Sequence, residues 1–459
     1  MVNYVAPTFK YPATFTAGTW VLLLGADNTD AAANGGTYAS SGYVQLDSTT
    51  WAAAAGSAGA TKWAPKGNLL NVVPAKDVLS IDVHRGRTRE DQAVDVGVMT
   101  VVLDNLSGDY DIDNNSSPWQ FPIYGGGTAN SITRGTWAQL LYATSASTYV
   151  KAFTGFVESL ECDQGIYPTA TLTVVDPLAR VAQSSTPAGF YGLPGETSAT
   201  RIYNILASAG VLPPTVTATL VGGKASYAYD WTPGLSLGTL KRTHEAADLS
   251  GGPLESIENI AASEGGRVFA TVDGLLRVVS HADLPTTAST ADYTLTDAGS
   301  GGFEYTDIET LPMHRQVVNQ ATVVAGVSGK TRTANTAASQ ARYGALGGTF
   351  TTSLSDDDST TPSSSLQKLA TFLASRRATP STAFSMVRME LRGLTAANIE
   401  TIIGGEIADK VTITRKTRTT VAQTITAGCW IEGIDFSITP DSWTWTLYTS
   451  AIDNPSATY

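Results

Sequence analysis

Cysteine is almost missing: there are two in 459 residues, Cys162 and Cys429. That excludes a disulfide scaffold and leaves at most one long-range bridge. Histidine is nearly as scarce, with His84, His244, His281 and His314 scattered along the chain. They form no i,i+4 pair and no HExxH, so each reads as a surface or strand residue and not as a metal ligand. No GxSxG elbow, Walker loop or GxGxxG at a strand-to-helix turn occurs, and neither cysteine sits in a catalytic signature. The chain therefore reads as a non-enzyme with no cofactor. A glycosidase-type carboxylate pair is invisible in sequence, and nothing points to one.

Charge is also thin. Only 15% of residues are charged while 42% are hydrophobic, which argues against a disordered chain. Lys and Arg number 29 against 41 Asp and Glu, for a net charge of −12. Phosphate-backbone affinity rests on cations displacing counterions, so such a chain would let DNA pass without holding it. Basic residues cluster only at Arg85/Arg87/Arg89, Arg376/Arg377 and Arg415/Lys416/Arg418, each read as a solvated strand or helix end. The apolar run Trp20–Gly25 is too short for a signal h-region or a membrane span. Synthesis in a cytoplasm follows, with work in solution or inside a particle.

What is present is mostly strand. The length exceeds one ordinary core and predicts two to four domains. After an N-terminal strand, residues 26–66 form a Gly/Ala/Ser-rich insertion with Tyr38, Tyr43, Trp51 and Trp63 as apolar anchors. From Val78 the pattern alternates, with Leu79, Ile81 and Val83 on one face and Ser80, Asp82 and His84 on the other. VGVMTVVLDN, TWAQLLYAT, VKAFTGFVESLE and TATLTVVD follow at short spacing with no helix between them, which predicts an antiparallel barrel or sandwich.

Residues 197–280 have another texture. TSATRIYNILASAG and GPLESIENIAASEGG carry apolar residues at helical spacing. Thr197 or Ser198 caps the first, with Gly210 past its end; Pro253 opens the second and Gly265 stops it. RVFATVDGLLRVVS predicts a hairpin whose Asp273-Gly274 pair suits a two-residue type I′ turn. A later helix covers 363–378, LTAANIETII is a short one, and the chain closes with strands. In the last, Trp443, Trp445 and Leu447 share a face, which reads as buried sheet and not as a sugar platform.

One pattern recurs. Aligning Val157 with Ile431 sets Glu158 on Glu432, Leu160 on Ile434 and Glu161 on Asp435; after a one-residue gap, Thr171–Val174 falls on Thr444–Leu447. Two related β-domains separated by an α+β insert are predicted. Three such chains would present six similar domains, joining threefold to sixfold objects.

The stretch VMTVVLDNLSGDYDIDNNSSPW holds Asp104, Asp109, Asp111 and Asp113. From Asp109 it starts like a calcium loop, with Asp111 and Asp113 at positions 3 and 5. Position 6 is Asn114 instead of Gly, position 12 is Gln120 instead of Glu, and a strand precedes it. The preferred reading is a strand ending in Asx-type turns with Tyr110 tucked inward.

These residues also carry a resemblance. Arg85-Gly86-Arg87, Leu103-Asp104-Asn105, Gly108-Asp109-Tyr110-Asp111 and Ser117-Pro118 resemble the opening domain of minor tail proteins of actinobacterial siphophages. The likeness continues through the segments holding Glu158 and Glu432 to Trp443 and Trp445, over most of 78–450. It implies a trimeric tail-tip or baseplate hub: mainly β with an α+β insert, and two β-barrel or sandwich ring domains. The implied partition is 1–77 for the strand and insertion, 78–182 for the first barrel-like domain and 183–309 for the insert. Residues 310–450 make the second barrel-like domain and 451–459 a tail. Implied partners are two further copies, a distal tail protein, fibre or central tip proteins and a tape-measure protein, with genomic DNA passing through. The implied location is the distal tail tip of a virion, and no enzymatic extension is expected after Tyr459. Rival readings are a distal tail or fibre-adaptor protein, and a cell-wall carbohydrate-binding or hydrolase module.

Overall fold

The computed structural model describes residues 16–25, 70–90, 92–111, 113–114, 117, 119–122, 128–130, 132, 134–209, 211, 219–221, 224–227, 234–237, 240, 242–250, 252–297, 301–310, 317–355, 365–380, 383–416 and 423–452. The 26–66 insertion, Gly210, His314 and Pro118 lie outside them.

In chain order the main elements begin with β1 (Thr19–Gly25), β2 (Val78–Gly86), β3 (Asp95–Asp104), β4 (Trp137–Ala143), β5 (Tyr149–Cys162) and β6 (Thr169–Val175). Helices α1 (Ser198–Ser208) and α2 (Pro253–Ser263) follow, then the hairpin β7 (Arg267–Ala270) and β8 (Leu275–Val279). After β9 (Asp307–Thr310) come β10 (Gln320–Ala325), β11 (Thr331–Asn335), β12 (Gly347–Thr352) and α3 (Ser365–Arg376). The chain ends with β13 (Phe384–Glu390), α4 (Ala396–Ile403), β14 (Lys410–Lys416), β15 (Thr424–Ile438) and β16 (Trp443–Ala451).

The fold is mainly β, and most strands belong to one large branched sheet. Within it the same arrangement occurs twice. β2-β3-β6-β5-β4 are neighbours in that order, every pair antiparallel. β9-β13-β16-β15-β14 repeat the order and the direction. The two sets join where the second half of β15 pairs with β2, from Gly433↔Gly86 to Ile438↔Ile81. β1 adds to the far edge through β4.

The predicted echo sits inside this repeat, with one correction. β5 and β6 skip a residue between Val157 and Ser159, and β15 and β16 skip one between Ile431 and Gly433. Glu158 and Glu432 are thus the same extra residue of the same β-bulge. From there Leu160 opposes Leu172 and Ile434 opposes Leu447, so Leu172 corresponds to Leu447 and Ala170 to Trp445. The sequence alignment paired Leu172 with Trp445, two residues away. A two-residue slip keeps every side chain on its face, so alternation could not detect it.

A single apolar core runs through both sets: Val101, Leu172 and Val174 of the first lie in one cluster with Val387, Ile434 and Leu447 of the second. Trp445 is buried and stacks on Phe436 at 4.5 Å, while the half-buried Trp443 meets Trp20 of β1 edge-on at 6.1 Å. Leu79 departs from its predicted face. It is the extra residue of a bulge between Val78 and Ser80, and it is 41% exposed.

Helices α1 and α2 pack with β7 and β8 in a second cluster through Ile202, Ile205, Ile257, Ile260 and Val278. The Thr197 side chain caps α1 by accepting from the Thr200 N–H, and Pro253 opens α2. The hairpin turn differs from expectation. Thr271 N donates to Leu275 O and Gly274 N to Thr271 O, and Gly274 has φ +77° while Asp273 is not left-handed. That is a three-residue loop with glycine in a G1-bulge position; type I′ needs positive φ at both central residues. Strands β10–β12 form a separate sheet covered by α3, with Val323, Leu366, Leu369 and Phe372 as its core. Among the described residues no helix is long and apolar enough to cross a membrane.

Candidate functional site

The joint between the two strand sets is where charge concentrates. At the end of β2 the chain reads Arg85-Gly86-Arg87; Arg85 falls on the buried face with Ile81 and Val83, and Arg87, just past the strand, is half-buried. Arg85 is buried and donates to Glu406 Oε1 at 2.6 Å and to Ala270 O at 2.7 Å. Glu406 also accepts from the Val272 N–H at 2.8 Å, which ties in the β7–β8 hairpin. Arg87 donates twice to Glu432 Oε2, at 2.9 and 2.7 Å.

Glu432, the bulge residue, is the centre of this knot. It accepts from Arg267 Nε at 3.1 Å and from Arg267 Nη2, and from Ser450 Oγ at 2.5 Å. Arg267 lies over the Trp430 ring at 4.6 Å, a cation–π contact that closes one side. Beside it, Glu90 takes Arg376 and Arg377, the latter at 2.7 Å, and Arg377 also donates to Ala451 O at 3.0 Å. Arg376 belongs to α3 and Arg377 follows it, so the knot gathers all parts of the molecule described above.

Buried charges persist only when paired and hydrogen-bonded. Burial pushes the Glu432 carboxyl up, but Arg267 and Arg87 beside it prevail and hold it well below the usual range. Glu90 follows the same logic, lowered by Arg376 and Arg377 against the burial cost. Asp176 shows the contrast. Its partners include the Gly97 and Leu178 N–H groups at 2.8 and 2.9 Å, and burial pushes its carboxyl up to about 7.

The backbone is strained here too. Gly86 has φ +82°, and a Cβ at that position would lie 2.4 Å from the Glu432 carbonyl oxygen. Ala408 has φ +75°, alone in this among the described non-glycine residues, and its N–H donates to Ile431 O at 2.8 Å. Both positions sit against the bulge.

The basic clusters read as solvated ends therefore need correction for Arg85, Arg87, Arg376 and Arg377. Burial makes them structural. Sequence reasoning singled out Arg85, Gly86, Arg87 and Glu432 and missed Glu406 and Arg267 as their partners, and Glu90 as the partner of Arg376 and Arg377. Each of these pairs joins residues far apart in sequence, and no local signal links them.

The acidic stretch forms a different structure at the end of β3. Leu103 is buried; Asp104 Oδ1 accepts from the Leu106 N–H at 3.0 Å. The buried Asn105 accepts from Tyr110 N and donates to Asp111 Oδ1, both at 3.0 Å. Gly108 has φ +72°, and Ser117 Oγ donates to the Asp109 carbonyl. Tyr110 is buried, donates to Asp77 Oδ2 at 2.9 Å and stacks on Trp119. For the calcium reading, Asp111 and Asp113 line one pocket, but among the described residues no group of three or more His, Cys, Asp or Glu is placed to hold a metal. Glu390 repeats the Asp104 turn in the second strand set, accepting from the Arg392 N–H at 3.0 Å.

Two histidines have definite roles. His84 pairs with Asp435 at 2.5 Å, and Asp435 accepts from the Tyr448 hydroxyl at 2.9 Å. They border an open polar groove of about 540 Å³ that includes Asp82, Thr100, Arg388 and Thr446. The hydrogen bond to Asp435 raises the His84 pKa against the effect of burial. His244 is buried between Ser198 and Ser353, and burial lowers its pKa to about 3.

No family model matches the chain, and no curated protein does. Solved structures do. A tail protein from Neisseria meningitidis MC58 aligns with TM-score 0.51 and 11% identity, over 85% of this chain and 95% of that one. The 43 kDa tail protein of prophage MuSo2 from Shewanella oneidensis aligns with TM-score 0.50 and 11% identity, over 85% and 98%. The chain shares their fold. At this identity the likeness concerns architecture; the actinobacterial siphophage assignment goes beyond it.

Proposed function

We propose that this chain is a structural protein of a phage tail, acting as a trimeric hub at the distal end. Three copies would set six related strand sets in a ring, so a threefold object meets a sixfold tube coaxially. The observation that carries this reading is the repeat itself: the same five strands in the same order, with the same bulge glutamate, twice in one chain. The likeness of fold to two tail proteins, one of them from a prophage, supports the tail setting. The proposed ring domains are 78–182 and 310–450, with 183–309 as the insert, save that β9 from Asp307 belongs with the second ring domain. Their partners would be a distal tail protein above, a tape-measure protein within, and fibre or tip proteins below. The siphophage setting of the resemblance is part of this proposal.

The role is mechanical and needs no catalytic residue. The ring closes the tube and opens when subunits or inserts move, letting DNA pass. A neutral to acidic inner wall, in keeping with the net charge of −12, would limit adhesion, since like charges repel within a Debye length of roughly 8 Å. Light scattering on the purified chain should report three copies, and electron micrographs should show a threefold ring. A persistent monomer, or six copies in a particle without a threefold ring, overturns the hub.

A further inference from the structure

The three most exposed large apolar side chains among the described residues sit together. Ile166 and Tyr167, in the β5–β6 loop, are 90% and 85% exposed, and Leu106, just past β3, is 71% exposed. Asn105 N donates to Pro168 O at 3.0 Å and Gln164 Nε2 to Asp111 Oδ1 at 3.5 Å, so the loop and the acidic turn form one tip. Beside them lies a recess of about 380 Å³ lined by Asp111, Asp113, Asn114, Leu160, Cys162 and Gln164. Charge at this tip has one sign. The segments that build it, 92–133 and 152–179, hold no Lys or Arg, while Asp104, Asp109, Asp111, Asp113, Glu161 and Asp163 lie within them. Lys76 comes near through Asp77, the acceptor of the Tyr110 hydroxyl, and is paired with it at 4.0 Å.

The second strand set has the same construction without this surface. Leu106 N donates to Asp104 as Arg392 N donates to Glu390, so Arg392 stands where Leu106 does. Arg392 is not left open: it donates to Asp441 O and lies 3.5 Å from the Asp441 carboxylate. The β15–β16 turn, Thr439-Pro440-Asp441-Ser442, is closed by Thr439 N donating to Ser442 O at 2.9 Å and holds no large apolar residue. A turn of this kind needs no apolar tip, so the fold does not explain Leu106, Ile166 and Tyr167.

We propose that this tip docks another protein, one that offers an apolar hollow to Ile166, Tyr167 and Leu106 and a lysine or arginine to the recess. Uncovered apolar surface of this kind marks a contact site. The carboxylates choose the occupant. They repel a phosphate backbone or an anionic bilayer, while a basic protein surface is steered in and held in register. A Lys or Arg entering the recess lays its stem on Leu160 and its charge beside Asp111 and Asp113. The chain carries one such tip, so it takes one partner per copy, whether or not the copies form a ring.

The probe is a random peptide library selected against the full chain. Selected peptides are then titrated into the parent and into two variants that change only exposed side chains, Ile166→Ser with Tyr167→Ser, and Asp113→Lys. The peptides should carry Lys or Arg beside apolar residues, bind once per chain and weaken as salt rises. Each variant should lower their affinity at least about tenfold while its melting temperature stays that of the parent. A selection that yields no peptide dependent on these residues, or peptides that are acidic, overturns the proposal. Binding to anionic vesicles that the Ile166/Tyr167 variant loses would assign the tip to a membrane. Self-association of the chain lost in that variant would assign it to a second copy. Either result overturns the basic partner.

Discussion

Glu432 and Glu158 occupy the same bulge of the same five-strand arrangement, yet one lies in a sealed ionic knot and the other beside solvent. Their own hairpins do not explain the difference. What differs is the neighbour: β2 lies along β15, and nothing described lies along the end of β5. A bulge that aims a carboxylate sideways is a local device, and its energy is set by what closes over it.

The largest way to break this comparison is to delete each glutamate. Glu432→Ala should cost about 3–5 kcal/mol in unfolding experiments, because Arg267 and Arg87 stay buried without a counter-charge. Glu158→Ala should cost at most about 1 kcal/mol in the isolated chain, as an exposed pair with Arg134. Equal losses in the monomer would show that the neighbour does not decide the matter.

Next comes the backbone. Gly86→Ala should destabilise by more than the roughly 1–2 kcal/mol of left-handed strain, since its Cβ also meets the Glu432 carbonyl. Gly135, with φ +87° and only the far end of Arg180 within 4 Å, should lose the strain alone. Similar melting shifts for both would show that the joint yields at that point.

pH sharpens the comparison further. Glu432 is lowered in the fold, so its contribution is present above the unfolded value near 4.5 and is lost as pH falls through the folded one. Asp176 is raised to about 7, so its contribution is present below about 3.8 and is lost as pH rises through 7. Acid titration of stability should therefore flatten in Glu432→Gln, and the neutral side should flatten in Asp176→Asn. Unchanged limbs would remove these groups as the cause. The smallest effect is expected at His84, part-exposed beside Asp435. Its raised pKa gives stability below about 6.5 that fades as pH climbs through the folded value, and His84→Asn should erase that slope.

Strand alternation, helix caps and the paired glutamates were legible in the sequence because each is written within a few neighbouring residues. Thr197, Pro253 and Gly265 mark helix ends by their own chemistry, and Trp445 and Leu447 mark a face by period two. Leu79 was misplaced because a bulge inserts a residue without changing composition. The two-residue slip of the echo escaped for the reason that makes alternation useful, since every second register looks alike. Arg85, Arg87, Arg376 and Arg377 looked like solvated charge because their partners, Glu406, Glu432 and Glu90, are up to hundreds of residues away.

By itself the sequence determined the element types, the apolar faces and the presence of a repeat, all short-range properties of side-chain period and backbone preference. Only the tertiary structure decided which glutamate is sealed and which strand edge stays open. Those depend on which distant segments lie side by side, and local pattern holds no information about that.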